Sequence, residues 1–247
     1  MSETAGEPSQ ANADLELARR RVDALFTRDA CGNLVTLNEL EPAPPPTPAP
    51  RIYLGVTAGG IVRDYRADVP PELRRAVEVF CEGASPLAYS HPAFFTGLQA
   101  AMLVHDLGAA AWEISTGPAY VFPADIPIAS GVSIVEPGQA DLLKEHFPFT
   151  ATWLHERRPC YAVVVGDQAV SICYSARRTG TVAEAGVDTA EVFRGRGYAA
   201  LVASAWAHAI RAAGITPVYS TSDDNLASQA VARKLGLREF CGDTSIT

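Results

Sequence analysis

The chain lacks the features that mark membrane, secreted and nucleic-acid-binding proteins. No apolar run approaches the roughly 20 residues that span a bilayer, and the N-terminal segment has no apolar core of a secretory signal. The five cysteines lie far apart without a C-x-x-C pair, which fits reduced cytosolic thiols. Twenty basic residues face 28 acidic ones, for a net charge of −8. Because nucleic acids and anionic membranes attract basic surfaces, we expect neither as a partner and predict a cytoplasmic protein.

Several common catalytic and metal-binding motifs are also missing. The five histidines show no H-E-x-x-H or paired spacing, so we expect no metal site. There is no G-x-S-x-G nucleophile elbow and no G-x-x-x-x-G-K-[ST] loop, which leaves a hydrolase or a P-loop protein without support. Cys173 lies in an apolar strand pattern, which favours a buried packing residue over a nucleophile.

The composition nevertheless supports a folded protein of one large or two small domains. The chain has 247 residues, of which 48% are hydrophobic. Residues 1–50 hold an amphipathic pattern over 15–26 and then six prolines within 41–50, which predict a helix and a stiff, loosely packed linker. We therefore divide the chain into 1–50, an additional N-terminal α/β subdomain at 51–130, and a C-terminal domain at 131–247. Nothing in residues 1–50 resembles a site, so we expect them to be dispensable for the chemistry.

Apolar periodicity and turn signals predict alternating strands and helices from residue 51 onward. In the N-terminal half, we expect strands at 51–57 and 61–65, helices at 70–80 and 92–107, and short, proline-broken strands over 110–135. In the C-terminal half, we expect short helices at 137–147 and 152–157, a hairpin at 161–174, a strand at 181–189, a helix from 198 to 213, a strand at 217–221, a helix at 226–235 and a final strand.

The most informative segment runs from a strand through a glycine-containing loop into a helix, over Val187–Ala199. Gly195 and Gly197 allow a tight turn and leave the backbone uncovered, so the free N–H groups of the first helical turn can bind an anion. Arg194 and Arg196 add positive charge that suits a pyrophosphate. Residues 191–240 hold six basic against four acidic groups, which reverses the overall charge balance. The segment therefore predicts a phosphate-binding site.

Two other interpretations of this segment stay open on the residues alone. The spacing Gly195-x-Gly197-x-x-Ala200, with Asp223 further on, matches a dinucleotide fingerprint. A dinucleotide-binding domain needs several more βαβ units, however, and fewer than 50 residues follow Ala200. The other alternative is a basic helix start with an ordinary glycine turn.

A second motif at a fixed distance decides among these interpretations. Arg194-x-x-Gly197-x-Ala199 is followed, 28 residues after Gly197, by Asn225-x-x-Ser228 and a helix that ends in Leu-Gly-Leu237. Together the two motifs resemble those of the GNAT superfamily of acyl-CoA-dependent N-acyltransferases, over roughly residues 130–247. The resemblance implies an α/β fold with a mixed twisted sheet flanked by helices, and transfer of an acetyl group from acetyl-CoA to a primary amine by direct attack. The resemblance does not cover residues 51–130, for which a degenerate copy of the same fold is one alternative.

The resemblance also implies roles for individual residues. Val187, Asp188 and Thr189 form the strand segment whose backbone would hold the pantetheine arm, in a V-shaped slot left by the next strand. Asn225 would hydrogen-bond the pantetheine, with a helix N-cap as its alternative role, and Ser228 would lie near the cofactor on the same helix. Six consecutive residues supply the amides that would cradle the pyrophosphate: Arg194, Gly195, Arg196, Gly197, Tyr198 and Ala199.

Two residues are candidates for proton transfer. Glu184 lies on the strand where some relatives place a general base acting through water, and partial burial would raise its pKa toward the working range. Strict alternation puts Glu184 on the face opposite Val187 unless a β-bulge intervenes, so an exposed strand glutamate is the alternative. The tyrosine that protonates the leaving thiolate in many relatives is replaced by Ala232. Tyr219 is the remaining candidate, unless water serves or the thiolate leaves without an acid.

Partners and activity leave further alternatives. A non-catalytic acyl-CoA-binding sensor or interaction protein on the same fold is the alternative to an enzyme. The acceptor would be a small-molecule or peptide amine, and a homodimer is an open alternative. We expect Arg157–Arg158 and Arg177–Arg178 to be solvated loop charges, or else contacts for an acidic substrate or the 3′-phosphate of CoA.

Overall fold

The computed structural model describes residues 9–40, 45–83, 97–98 and 113–247. Its strands are β1 (Phe26–Arg28), β2 (Leu34–Leu37), β3 (Ile52–Thr57), β4 (Gly60–Tyr65), β5 (Ile114–Val121), β6 (Ser133–Ile134), β7 (Tyr161–Val165), β8 (Gln168–Arg178), β9 (Val182–Thr189), β10 (Thr216–Ser220) and β11 (Arg238–Ile246). Its α-helices are α1 (Gln10–Leu25), α2 (Pro71–Gly83), α3 (Pro148–Thr152), α4 (Tyr198–Ala212) and α5 (Leu226–Lys234). Two 3₁₀ helices cover Pro137–Leu143 and Glu191–Phe193.

Nine of these strands form one mixed sheet, in the order β4-β3-β11-β5-β10-β9-β8-β7-β6. The pair β9 and β10 is parallel, and the other neighbours are antiparallel. The predicted fold class, a mixed sheet flanked by helices, is confirmed. Strand β5 of the N-terminal part lies between β10 and β11 of the C-terminal part. The division at residue 130 stays a prediction, but it does not separate two sheets.

The two faces of the sheet carry different helices, and strand β9 shows the alternation between them. Val182 packs in the cluster that contains α1, whereas Ala183 and Ala185 pack in the cluster that contains α4. Because side chains alternate along a strand, Glu184 and Asp188 belong to the α1 side. The pairing of β8 with β9 contains a β-bulge, which lies in β8 between Ser175 and Arg177. The alternation of side chains along β9 is therefore unbroken.

The helix α1 belongs to the core of the molecule rather than to a separate segment. It begins after Ser9, whose side chain accepts a hydrogen bond from the backbone N–H of Asn12. Its residues Leu17, Ala18 and Val22 are buried against Val218 and other residues of the sheet. Burial of this apolar face stabilises the sheet, so α1 is not separated from the rest of the fold. The expectation that residues 1–50 are dispensable for the chemistry stays a prediction.

The described end of the proline-rich segment is also packed. Thr47 accepts a hydrogen bond from the backbone N–H of Leu37 at 2.8 Å, and the N–H of Ala49 donates to Val35. Ala49 is fully buried. The expectation of a loosely packed linker is therefore wrong for residues 49–50, whereas residues 45–48 are exposed.

Four further expectations need correction or lie outside the described residues. The strand β5 runs through Pro118, which was expected to break it. Proline is tolerated there because β10 has already ended at that level, and the Pro118 carbonyl accepts from the N–H of Thr221. The expected helix at 152–157 is instead α3 followed by turns, and the helix expected at 137–147 is a 3₁₀ helix that ends at Leu143. The helix expected at 92–107 lies outside the described residues except for 97–98.

None of the helices in the described ranges combines the length and apolar character needed to cross a membrane.

Candidate functional site

The centre of the candidate site is a gap between the parallel strands β9 and β10. Their pairing covers only Val182–Glu184 and Thr216–Val218. Beyond it, β9 continues to Thr189 along β8, while β10 continues to Ser220 along β5. The two strands therefore separate, and the backbone edge of β9 near Val187 faces an opening. A cofactor amide can pair with such an edge in the manner of an added strand.

The loop after β9 forms an open helix N-terminus. Gly195 and Gly197 have φ values of +77° and +81°, in the left-handed region that favours glycine. Gly197 is the N-cap of the 15-residue helix α4 and offers no side chain to the free N–H groups of the first turn. The local geometry agrees with the prediction of an anion site.

The two arginines of this loop differ in position. The Arg194 Nε donates to the Thr189 carbonyl at 3.2 Å, and Arg194 lines the opening. The Arg196 guanidinium lies 5.0 Å from the centre of the Phe193 ring, and Arg196 does not line the opening. We therefore expect a backbone contribution from Arg196 rather than a direct charge contact.

A cation that neither sequence motif indicates, Lys234, lies at the same helix start. A Cβ added at Gly197 would come within 2.3 Å of the Lys234 Nζ, so this ammonium group lies directly over the glycine. Lys234 ends α5, far from Gly197 in sequence. The only sequence signal was its share in the basic excess of residues 191–240, which does not identify a neighbour.

The opening is a cavity of about 700 Å³ between β9, α4 and α5. It brings together the sequence-predicted site residues except Glu184 and Arg196, and it adds Lys234. The predicted residues that line it are Val187, Asp188, Thr189, Arg194, Gly195, Gly197, Tyr198, Ala199, Tyr219, Asn225 and Ser228. Their individual roles stay predictions.

The start of α5 connects three of these residues. The Asn225 side-chain oxygen accepts from the Ser228 N–H at 3.0 Å, so Asn225 is the N-cap of this helix as well as a cavity residue. The Ser228 hydroxyl lies 2.5 Å from the Tyr219 hydroxyl. Tyr219 is only 4% exposed, and burial raises its pKa above the ordinary value of 10.0. Its phenol therefore stays protonated at neutral pH.

Glu184 has a different environment from the one expected. It is 3% exposed, and its carboxylate accepts from the Arg21 guanidinium at 3.1 Å and from the Ser220 hydroxyl. Burial alone would raise the pKa of Glu184, but Arg21, Arg177 and the hydrogen bond from Ser220 lower it below the ordinary value. The prediction of a raised pKa for Glu184 is therefore wrong, and so is the alternative of an exposed Glu184 side chain.

Arg21 of α1 links this carboxylate to a second one. Its guanidinium donates to Asp243 at 2.7 Å as well as to Glu184, and it is 1% exposed. Tyr53 donates to the same Asp243 at 2.7 Å. A buried cation between two carboxylates fixes α1 to the sheet, which indicates a structural role for Glu184.

The expectation of solvated arginines is wrong for Arg157 and Arg177, whereas Arg178 is exposed. Arg157 is 8% exposed, and its guanidinium lies 4.6 Å from the Phe149 ring centre and 4.4 Å from that of Tyr174. Arg177 is half-buried and acts on Glu184, as described above. Within the described residues, no group of three or more histidine, cysteine, aspartate or glutamate side chains could hold a metal ion.

Comparisons with known proteins agree with the resemblance. The family model of the GNAT acetyltransferases matches residues 137–241. None of the curated proteins with which the sequence was compared matches it. A GCN5-related N-acetyltransferase from Kribbella flavida is similar in structure, with 14% identity, 98% of this chain and 96% of that chain covered, and a TM-score of 0.48.

Two further solved structures show a comparable likeness. A GNAT-family acetyltransferase from Colwellia psychrerythraea has 12% identity, with 95% of this chain and 97% of that chain covered and a TM-score of 0.46. A GNAT-family protein from Novosphingobium aromaticivorans has 18% identity and a TM-score of 0.44, with 54% of this chain and 64% of that chain covered. Residues 137–241, which contain both sequence motifs, thus match the family model of the GNAT acetyltransferases, as the resemblance of the motifs implied.

Proposed function

We propose that the protein transfers an acetyl group from acetyl-CoA to a primary amine by direct attack. The observation that carries this proposal is the cavity between β9, α4 and α5. It joins an open helix N-terminus, a free strand edge and a buried tyrosine, which suit the pyrophosphate, the pantetheine and the thiol of CoA in that order. We also propose a cytoplasmic location and an acceptor that is a small molecule or a peptide.

The pyrophosphate would bind at the start of α4. Backbone N–H groups from Gly195 to Ala199 would bind the anion, and the helix dipole adds to the attraction. The Arg194 N–H is already donated to the Glu191 carbonyl at 3.1 Å, so Arg194 would contribute its side chain. The side chains of Arg194 and Lys234 supply two positive charges at the same place. The pantetheine would then lie along the free edge of β9 at Val187 and Thr189.

Acetyl transfer needs a neutral amine, a held carbonyl and a proton for the thiolate. The amine loses a proton to water, and its nitrogen lone pair attacks the thioester carbonyl carbon while the edge of β9 offers a backbone N–H to the carbonyl oxygen. The attacking nitrogen then loses its second proton to water. When the carbon–sulfur bond breaks, the electron pair stays on sulfur, and the Tyr219 hydroxyl donates a proton to the thiolate. The tyrosinate then regains a proton from water, with the Ser228 hydroxyl beside it.

Two measurements test this function. Acetyl-CoA should raise the melting temperature, since a ligand that binds only the folded state stabilises it by mass action. The protein should also release free CoA thiol from acetyl-CoA with at least one amine of a panel of spermidine, tyramine, L-lysine and the dipeptide Ala-Ala. Stabilisation by acetyl-CoA without release of thiol above the amine-free rate would favour the non-catalytic sensor instead.

A further inference from the structure

A second cavity of about 550 Å³ lies at the end of β9. Its walls come from residues 145–150, from Arg157 and Tyr174, and from residues 188–191 with Arg194. Three residues, Asp188, Thr189 and Arg194, line this cavity and also the one assigned above to acetyl-CoA. A molecule in the second cavity would therefore meet the cofactor at the end of β9.

The wall of this second cavity is held in place by buried contacts. The Arg157 guanidinium lies between the rings of Phe149 and Tyr174 and donates to the Thr150 hydroxyl at 3.2 Å. Cation–π contacts of this kind are strongest where water is excluded, and Arg157 is almost fully buried. These contacts fix the buried Arg157 side chain in the wall of the second cavity.

Asp188 is the one carboxylate among the described residues that lines both cavities. Glu145 and Glu191 line only the second cavity. The remaining ionisable residues that line the second cavity are Arg157, Arg194, His146 and Tyr174. The Tyr174 hydroxyl donates to the Asp188 Oδ2 at 3.2 Å. Burial, with a further contribution from Asp188, raises the pKa of Tyr174 to about 12, so this phenol remains a donor at neutral pH. The Asp188 carboxylate is therefore oriented while it is exposed to solvent.

The position of Asp188 also explains how an acceptor could reach β9 although Glu184 is inaccessible. Both carboxylates belong to the α1 side of β9, four residues apart. Arg21 and Ser220 occupy the Glu184 carboxylate beneath α1. Asp188 is beyond this network, next to Val187 at the free edge of the strand.

We propose that the acceptor enters through this second cavity as a cationic primary amine, and that Asp188 binds its ammonium group beside the thioester. This inference rests on the proposed acetyl transfer and replaces Glu184 by Asp188 as the carboxylate that meets the acceptor. Asp188 acts as a binding residue: it holds the ammonium form, and water takes the proton before the nitrogen attacks.

The test is the variant Asp188→Asn, whose side-chain oxygen can still accept from Tyr174 but carries no charge. With the best amine of the panel, the KM for that amine should rise about 10- to 100-fold, because a charged hydrogen bond is lost. Acetyl-CoA should keep its Kd within about twofold, since its phosphates bind at α4. The control is Asp167→Asn, the same loss of charge at the exposed β7–β8 turn, which should leave both quantities unchanged.

A calorimetric titration of the same amines into the CoA-bound protein gives a readout that does not depend on turnover. The Asp188→Asn variant should bind the amine at least tenfold more weakly than the unmodified protein does. If the unmodified protein is active and Asp188→Asn behaves like Asp167→Asn in both assays, the inference is wrong and the proposed function stands. An unmodified protein that neither releases CoA nor binds any amine would overturn both. A parallel loss of acetyl-CoA affinity without a change in amine KM would assign Asp188 to the cofactor instead.

Discussion

The hydroxyl of Tyr219 lies 2.5 Å from that of Ser228, across the base of the cavity between β10 and α5. Tyr219 belongs to β10, which separates from β9, and Ser228 belongs to the first turn of α5, the helix that follows β10. Since burial raises the pKa of Tyr219, the phenol is protonated at neutral pH and can donate a proton. The contact thus gives this tyrosine an orientation that the sequence alone did not predict.

The variant Tyr219→Phe should lower kcat by roughly 10- to 100-fold, because a positioned acid contributes a factor of this order or more. The Kd for acetyl-CoA should change little, since the ring still fills its buried place. The measurement is steady-state thiol release as a function of pH. In the unmodified protein, kcat should fall as the pH rises through the raised pKa of Tyr219, and the variant should lose this fall.

Tyr120 provides a matched control for that variant. It is the direct neighbour of Tyr219 across the β5–β10 pair, but it does not line the cavity. Tyr120→Phe should leave kcat unchanged. Equal kcat values for Tyr219→Phe and the unmodified protein would show that water protonates the thiolate.

The variant Gly197→Val should abolish the thermal stabilisation by acetyl-CoA. Valine at φ +81° strains the backbone, and its Cβ would displace the Lys234 ammonium from the helix start. Gly214→Val is the control, because this glycine has φ +77° and open space around it at the other end of α4. Both variants should lose a similar stability without ligand, yet Gly214→Val should keep its response to acetyl-CoA. A folded Gly197→Val protein with normal acetyl-CoA binding would place the cofactor elsewhere.

The variant Lys234→Gln should weaken acetyl-CoA binding about tenfold at low ionic strength, since one charge-assisted contact to phosphate is removed. The difference should shrink as salt is added, because the contact is exposed and therefore screened. Titration calorimetry at two salt concentrations measures both effects. Arg233→Gln removes one positive charge from the adjacent position, which does not line the cavity, and should have a much smaller effect. Equal effects of the two substitutions would mean that only the overall charge of α5 matters.

The variant Arg21→Met should lower the free energy of unfolding by about 3–5 kcal/mol, because it leaves two carboxylates near the core without their cation. Glu184→Gln should have a smaller effect of about 1–3 kcal/mol, since Asp243 still pairs with Arg21. Urea unfolding at pH 7 measures both. The control is Glu16→Gln, an exposed residue of the same helix, which should change stability by less than about 1 kcal/mol.

The lowered pKa of Glu184 fixes the sign of its pH dependence. The carboxylate contributes stability above its unfolded value of about 4.5, and this contribution is lost as the pH falls through the lower folded value. The unmodified protein should therefore lose stability below about pH 4.5 more steeply than Glu184→Gln. A variant with unchanged stability but a kcat/KM lowered about 100-fold would restore Glu184 as a general base.

The sequence by itself determined the features that depend on neighbouring residues. The glycines and arginines of Arg194–Ala199, the apolar period of α4 and the capping residue Asn225 act within one or two turns of chain, so their pattern predicts their geometry. The same holds for the alternation along β9, which already placed Glu184 opposite Val187. These local rules were sufficient to identify the two motifs and the predicted residues that line the cavity between β9, α4 and α5, apart from Lys234.

Only the tertiary structure decided which distant residues meet. Arg21 and Glu184 are 163 positions apart, and an arginine in a run of three on a helix gives no indication of its buried partners. Three other features also join residues that are distant in sequence: the position of Lys234 at Gly197, the place of β5 beside β10, and the meeting of two cavities at Asp188. Such contacts depend on how whole elements pack, because burial and the charges of residues distant in sequence, and not local chain geometry, shift the pKa of groups such as Glu184.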